Sequence, residues 1–174
     1  MAIEIERKFL VDGDGWREGV ERSVPMRQGY LAGPPGARCS VRVRLAGAGA
    51  FLNIKSLVQG IVRDEYEYAL PPADAVRMLE TLAGDVVAKL RHHVVVDGCL
   101  FEVDEFEGAN AGLVVAEIEL ATVDVVFPRP AWLGREVSHL ARYYNQNLAR
   151  RPYARWTRDE RDADDAPRKD DRPC

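Results

Sequence analysis

The chain has 174 residues, 47% of them hydrophobic and 30% charged, which suits one globular domain with a core of its own and excludes a disordered or fibrous chain. A formal net charge of −4 argues against a nucleic-acid protein held by bulk electrostatics, so any bound anion must meet a local basic cluster. Cys39, Cys99 and Cys174 form no Cys-x-x-Cys pair and read as reduced thiols; with no signal-peptide pattern and no run of roughly 20 apolar residues, a cytoplasmic protein with no membrane partner is expected.

Residues 2–11 read as the first strand. Side chains alternate between faces in an extended segment, so Glu4, Glu6 and Lys8 share one face and Ile3, Ile5, Arg7 and Phe9 the other. A solvated edge strand would explain this segment alone, but the same spacing recurs down the chain. Asp12-Gly-Asp-Gly makes a turn, followed by a helical turn around Trp16. Residues 24–32 form the second strand, with Gln28 and Tyr30 on one face. The Gly33-Pro-Pro-Gly36 loop separates it from the third, Cys39–Leu45, where Arg42 and Arg44 oppose Val41, Val43 and Leu45.

The fourth strand, Phe51–Leu57, carries Asn53 and Lys55 on one face; the preceding Gly47-x-Gly49 lacks the third glycine of a dinucleotide loop and reads as a hairpin turn. The fifth, Ile61–Leu70, carries Arg63, Glu65 and Glu67. Pro71-Pro72 then opens an amphipathic helix with Ala75, Met78, Leu79 and Leu82 on its packing stripe. Val86–Val96 is the sixth strand, with Lys89 and Arg91 together, and Asp97-Gly98 is a two-residue hairpin turn into Cys99–Phe106, which carries Glu102 and Asp104. The eighth strand, Leu113–Thr122, presents Glu117 and Glu119. A final helix is predicted from Arg135 to Leu148. Residues 157–174 contain almost no apolar side chain and are expected to form a charged tail without structure, leaving residues 1–156 as the domain.

Eight strands with one charged and one apolar face are best satisfied by closure, which removes the sheet edges. The fold expected is therefore α+β, a closed eight-stranded antiparallel β-barrel with flanking helices, its charged faces lining a tunnel. Unpaired ions there would cost several kcal/mol each, but the signs are mixed. Glu4, Glu6, Glu102, Asp104, Glu117 and Glu119 are hard oxygen donors suited to Mg2+ or Mn2+. Lys8, Arg42, Arg44, Lys55, Lys89 and Arg91 suit a strong anion. A polyphosphate bridged to metal meets both demands.

The ordered motifs Glu4-x-Glu6-x-Lys8, Gln28-Gly-Tyr30-Leu31, Val41-Arg-Val-Arg44, Asn53-Ile-Lys55, Arg63-x-Glu65-Tyr66-Glu67, Lys89-x-Arg91, Glu102-Val-Asp104 and Ala116-Glu-Ile-Glu119 resemble the CYTH, or triphosphate tunnel metalloenzyme, family over about residues 2–153. Pro130-x-Trp132-x-Gly134 and Tyr143-Tyr144-Asn145 resemble its small bacterial members. The resemblance implies a tunnel enzyme that removes the terminal phosphate of a triphosphate. It implies metal ligands at Glu4, Glu6, Asp104, Glu117 and Glu119, for two Mg2+ or Mn2+ ions. It implies triphosphate binding by Lys8, Arg42, Arg44, Lys55 and Arg91, with Lys89 facing the same way. Lys8 is the motif lysine near the reacting phosphate, Tyr30 a tyrosine able to pair with it, and Glu4 and Glu6 stand beside the reacting centre. Small members are commonly dimers, so a homodimer is expected.

Two features depart from the pattern or admit another use. His92-His93 stands where an aromatic or aliphatic residue is expected; adjacent residues on a strand cannot chelate from one face, so one packs outside and one lies inside. Trp132, Tyr143 and Tyr144 are read as packing residues and not as a base-stacking platform. The function expected is a metal-dependent triphosphatase acting on inorganic tripolyphosphate. A class IV-type adenylate cyclase, a thiamine triphosphatase and a non-catalytic polyphosphate-binding module stay open as alternatives. The retained acid pairs weigh against the last, and the lack of an aromatic-rich adenine motif against the first.

Overall fold

Alternating charge along the strands becomes the inner lining of a ring. The computed structural model describes residues 2–32, 37–56 and 60–165. In it β1 (Ala2–Val11), β2 (Val20–Ala32), β3 (Cys39–Ala46), β4 (Gly49–Ser56), β5 (Val62–Ala69), β6 (Val86–Val96), β7 (Cys99–Phe106) and β8 (Val114–Glu119) pair antiparallel in the order β5-β4-β3-β2-β6-β7-β8-β1, and a β1–β5 pairing closes the circle. The eight-stranded antiparallel barrel expected from the charge pattern is what forms.

β1 closes the ring by dividing its length. Residues 2–5 pair with β5 on one edge, and residues 6–10 pair with β8 on the other. The Glu6 amide donates to the Ile61 carbonyl at 2.9 Å, and the Leu120 amide donates to the Ile5 carbonyl at 2.8 Å. Where β5 ends, a ninth strand takes over the same edge. This is β9 (Leu133–Glu136), in register Phe9↔Glu136 and Val11↔Leu133.

β9 corrects the helix predicted over 135–148. A half-paired edge of β1 leaves donors and acceptors that must be satisfied, and the chain after Trp132 satisfies them: the Val137 amide donates to the Lys8 carbonyl at 2.8 Å and the Asp12 amide to the Trp132 carbonyl at 2.9 Å. Helix appears only later, as α2 (Asn145–Arg150). The first helix is as expected, α1 (Pro72–Thr81) with proline in its first turn.

The apolar side chains form three clusters. One lies outside β1, β6, β7 and β8 and holds Phe9, Trp16, Phe101, Ile118, Phe127 and Trp132. A second lies under α1, where Ala75 and Leu79 meet Val43 and Ala50. Gly29 permits that approach, because a β-carbon there would stand 2.6 Å from the Ala83 side chain. The third uses inward-facing positions. Val87, Phe106 and Val115, with Leu10 and Tyr30, are covered by Val137, Tyr143, Leu148, Ala149 and Trp156. Residues 137–156 thus fill one end of the barrel with apolar side chains, and Tyr143 and Trp132 are packing residues as expected.

A third helix, α3 (Arg158–Asp165), stands where a structureless charged tail is expected. Thr157 and Glu160 cap each other: the Glu160 amide donates to Thr157 Oγ1 at 3.2 Å and the Thr157 amide to Glu160 Oε2 at 2.8 Å. Glu160 also accepts from both terminal nitrogens of Arg151, at 2.6 and 2.7 Å. The rest of the expected tail, residues 166–174, lies outside the described residues, as does Cys174; Cys39 and Cys99 are free thiols. No helix among the described residues is long and apolar enough to cross a membrane.

Candidate active site

Strand register places the charged side chains in rows around the interior. Glu6 lies opposite Glu119 and Lys8 opposite Glu117 on β1–β8; Glu117 lies opposite Glu102, and Asp104 opposite Arg91. On the other side Glu4 faces Arg63, Lys55 faces Glu65, Asn53 faces Glu67, and Arg42 lies between Tyr30 and Asn53. All the site residues expected from sequence come to this one lining.

Most of them are paired. Lys8 Nζ donates to Glu6 Oε1 at 2.7 Å and also to Glu117. Lys55 Nζ reaches both oxygens of Glu4, at 2.8 and 2.9 Å. Arg91 forks onto Asp104 at 2.7 and 2.6 Å and touches Glu102 and Glu117, and Lys89 Nζ also donates to Asp104. Arg44 donates to Glu67 at 2.6 Å. Tyr30, expected to be able to pair with Lys8, lies opposite Arg42 in register and feels the charges of both Arg42 and Lys8.

These contacts set the protonation states. Burial and Glu117 push the Glu6 carboxyl up, but Lys8, Arg63 and Lys55 overcome them and hold it at about 2. Burial opposes charge on Lys8, yet Glu117 and Glu6 raise its pKa above the ordinary ammonium value. Burial and neighbouring Arg91 pull Lys89 down to about 8 against Asp104 and Glu117. Burial raises the Tyr30 phenol. The interior therefore holds ionised carboxylates and ammonium groups side by side, an arrangement stabilised by mutual pairing.

Two groups break the pattern. Arg42, only 7% exposed, makes no direct ion pair with a carboxylate among the described residues; its hydrogen bond is to Gln28 Oε1 at 3.4 Å, and an acid its charge acts on, Glu65, is held by Lys55 and Asn53. Glu119 has no cation partner among the described residues. It is exposed, yet partial desolvation and the charges of Glu4, Glu6, Glu65 and Glu102 push its carboxyl up. In ring order β3 and β8 lie on opposite sides of the barrel, so the unpaired guanidinium and the unpaired carboxylate face the same interior from across it. Among the described residues no three His, Cys, Asp or Glu side chains are gathered as a ready-made ligand set, because the carboxylates are drawn to cations. Glu119, with acids around it, nonetheless fits a divalent cation, which would relieve that repulsion.

The CYTH domain profile matches residues 2–153. This chain belongs to the CYTH family. An inorganic triphosphatase from Acetivibrio thermocellus is 44% identical over 154 residues, 88% of this chain and 97% of that protein. One from Nitrosomonas europaea is 37% identical, covering 84% of this chain and 96% of its own. The crystal structure of an inorganic triphosphatase superposes with a TM-score of 0.61 at 36% identity, over 86% of this chain and 95% of that one. A putative adenylate cyclase from Bacillus halodurans, 15% identical, shares the fold at a TM-score of 0.55 over 70% of this chain and 83% of its own.

Within this CYTH barrel one side chain without an assigned role from sequence is central to the lining. Arg63 Nε donates to Glu4 Oε2 at 2.6 Å and its Nη2 to Glu6 Oε1 at 2.8 Å, bridging the first acid pair. Its place on the charged face of β5 was visible; its bridging contact depends on the β1–β5 closure. Asn53, fully buried, donates to both Glu65 and Glu67, at 2.9 and 2.6 Å. The two histidines divide as alternation requires. His92 packs outside at 4.8 Å from the Trp16 ring and contacts Ser23 at 2.8 Å, while His93 lies on the Glu102 side.

Proposed function

We propose that this protein is a divalent-metal-dependent triphosphatase that removes the terminal phosphate of inorganic tripolyphosphate inside the barrel. The observation that carries the reading is the pair left over in the lining: among the described residues, a buried guanidinium in no direct ion pair, Arg42, and a carboxylate with no cation partner, Glu119. A metal–polyphosphate complex supplies the missing partner of each. The names of the relatives from Acetivibrio thermocellus and Nitrosomonas europaea support the same substrate.

Arg42, Arg44, Lys55, Lys89 and Arg91 would bind phosphate oxygens, Arg42 first because it has no direct ion pair to break among the described residues. Lys8, held charged by Glu6 and Glu117, would stabilise negative charge at the terminal phosphate. A carboxylate at about 2 is a poor proton acceptor near neutrality, so Glu6 serves as a charge and not as the base. Tyr30, kept protonated, can donate to the anion beside Arg42. Glu4, Glu6, Asp104, Glu117 and Glu119 would hold the cations, whose hard oxygen ligands suit two Mg2+ or Mn2+ ions. Bound metal offsets phosphate charge and lowers the pKa of a coordinated water.

The reading places the enzyme in the cytoplasm, supported by its free thiols. It also takes the protein as a homodimer, for which Ile3, Val62, Tyr66 and Tyr68 leave an exposed apolar outer face on β1 and β5; sedimentation velocity tests it. Phosphate release should be measured from tripolyphosphate, ATP and thiamine triphosphate with Mg2+, with Mn2+ and in excess chelator. Metal-dependent release that is fastest from tripolyphosphate is expected. Cyclic AMP from ATP without phosphate from tripolyphosphate would overturn the assignment.

A further inference from the structure

Four buried polar atoms in three adjacent strands have no hydrogen-bond partner among the described residues: Gln28 Nε2 on β2, the Nε atoms of Arg42 and Arg44 on β3, and Asn53 Oδ1 on β4. Gln28 is the uncharged donor among them and is only 1% exposed. It lies opposite Arg44 on β3 and opposite Val87 on β6, in the inward row that also holds Tyr30.

The orientation of its amide is determined by its neighbour. Arg42 Nη1 donates to Gln28 Oε1 at 3.4 Å, and a guanidinium offers only donors, so the oxygen must face Arg42. The NH2 group then points away from it, and the one charged residue in register with Gln28, Arg44, is also a donor. A buried donor left unmade costs about 1–3 kcal/mol. Gln28 therefore supplies the lining with a neutral donor beside a buried guanidinium, Arg42, that makes no direct ion pair among the described residues.

We propose that Gln28 is a substrate-binding residue: Nε2 donates to a non-bridging phosphate oxygen of the polyphosphate while Oε1 holds Arg42 against that same anion. The inference rests on the triphosphatase reading for the identity of the anion. A neutral donor contributes direction without adding to the positive charge that the metal already supplies, so it selects an oxygen acceptor at that depth in the barrel.

The test uses the full chain with Mg2+ and the imido analogue of tripolyphosphate, whose P–N–P bridges resist hydrolysis, titrated by calorimetry at low and high salt. Gln28→Met keeps length and removes both amide atoms. Gln28→Glu keeps the acceptor for Arg42 and removes the donor. Both should bind the analogue about tenfold or more weakly, a loss of about 1.4 kcal/mol, and for Gln28→Met the factor should be similar at both salt concentrations, as for an uncharged contact. The melting temperature of ligand-free Gln28→Glu, which keeps the acceptor for Arg42, should stay level or rise, whereas a glutamine whose NH2 group had a structural partner would lose stability in that variant. Should the variants fail to fold, the side-chain NH2 resonances of Gln28 in the unmodified chain decide, since they must shift at saturation. Unchanged affinity in Gln28→Met, or unmoved NH2 resonances, overturns the proposal and leaves the triphosphatase reading intact. Binding with the same Gln28 dependence but no turnover of tripolyphosphate by the unmodified enzyme supports Gln28 and overturns the activity. Absence of binding overturns both.

Discussion

Arg7 on β1 and Glu136 on β9 join the barrel to its ninth strand through a forked contact, Nε to Oε1 at 3.0 Å and Nη2 to Oε2. Ser138 Oγ donates to the same carboxylate at 2.7 Å and accepts from the Lys8 amide at 2.9 Å. The outer face of β1 is thus tied to the segment that leads into the apolar end of the barrel, while its inner face carries Glu4, Glu6 and Lys8.

This clamp should be pH-dependent. Burial pushes the Glu136 carboxyl up, but the bonds from Arg7 and Ser138 overcome it and leave its pKa lowered. A group whose folded pKa is depressed stabilises the fold above its unfolded value and loses that contribution as pH falls through the folded one. Glu136→Gln should therefore cost about 1 kcal/mol near neutrality, and the gap to the unmodified protein should close as pH falls below about 4.5. Urea unfolding across pH 3–7 measures it; a constant gap would remove the Glu136 charge from the account.

The apolar end should depend on α2. Leu148 is fully buried among Val137, Tyr143 and Trp156. Leu148→Ala should cost about 2–5 kcal/mol, which at this chain length lowers Tm by roughly 2–4 °C per kcal/mol. A loss well under 1 kcal/mol by denaturant titration would mean that residues 137–156 rest on the barrel without closing it.

How far these features could be read in advance depended on range. Period-two charge in β1 and β3 to β8 marked the charged inward residues of the lining, because alternation is a local property, but not the apolar inward positions Leu10, Val87, Phe106 and Val115 that close one end. β9 has only four residues, and its strand conformation comes from the free edge of β1, a relation over more than a hundred positions. The Thr157-x-x-Glu160 box of α3 was present as a local signal, but the charged composition around it outweighed it. Arg63 was placed on the correct face, yet its bridge across Glu4 and Glu6 needs the β1–β5 pairing that only closure creates.

Arg42 and Arg44 are alike in sequence and differ in partners, which separates their expected variants. Arg42→Ala removes a buried cation that makes no direct ion pair among the described residues, and Glu65, on which its charge acts, keeps Lys55 and Asn53, so ligand-free stability should hold or rise while KM for tripolyphosphate rises about tenfold or more with kcat changed little. Arg44→Ala strips Glu67 of its cation, and should lose stability as well as affinity. Steady-state kinetics and melting curves of the two side by side check this. Equal stability losses would show that Arg42 has a structural partner.

Glu119 separates metal binding from barrel integrity. Its carboxylate has no cation partner among the described residues, and partial desolvation together with the charges of Glu4, Glu6, Glu65 and Glu102 disfavours its ionised form. Glu119→Gln keeps the size and removes the charge. In excess chelator the variant should therefore melt at the same temperature or higher. A cation that binds the folded state alone stabilises it by RT ln(1 + [L]/Kd), so adding Mg2+ should raise Tm less in Glu119→Gln than in the unmodified protein. The Mg2+ concentration for half-maximal turnover should rise about tenfold or more, and kcat at saturation should fall by up to about a hundredfold if the lost charge also positions metal in the transition state. Melting curves over a Mg2+ titration isolate the binding term from catalysis. If the Mg2+ dependence of Tm and of turnover is the same in both proteins, Glu119 holds no metal, and the acidic side of the barrel must act through Glu4, Glu6, Asp104 and Glu117 alone.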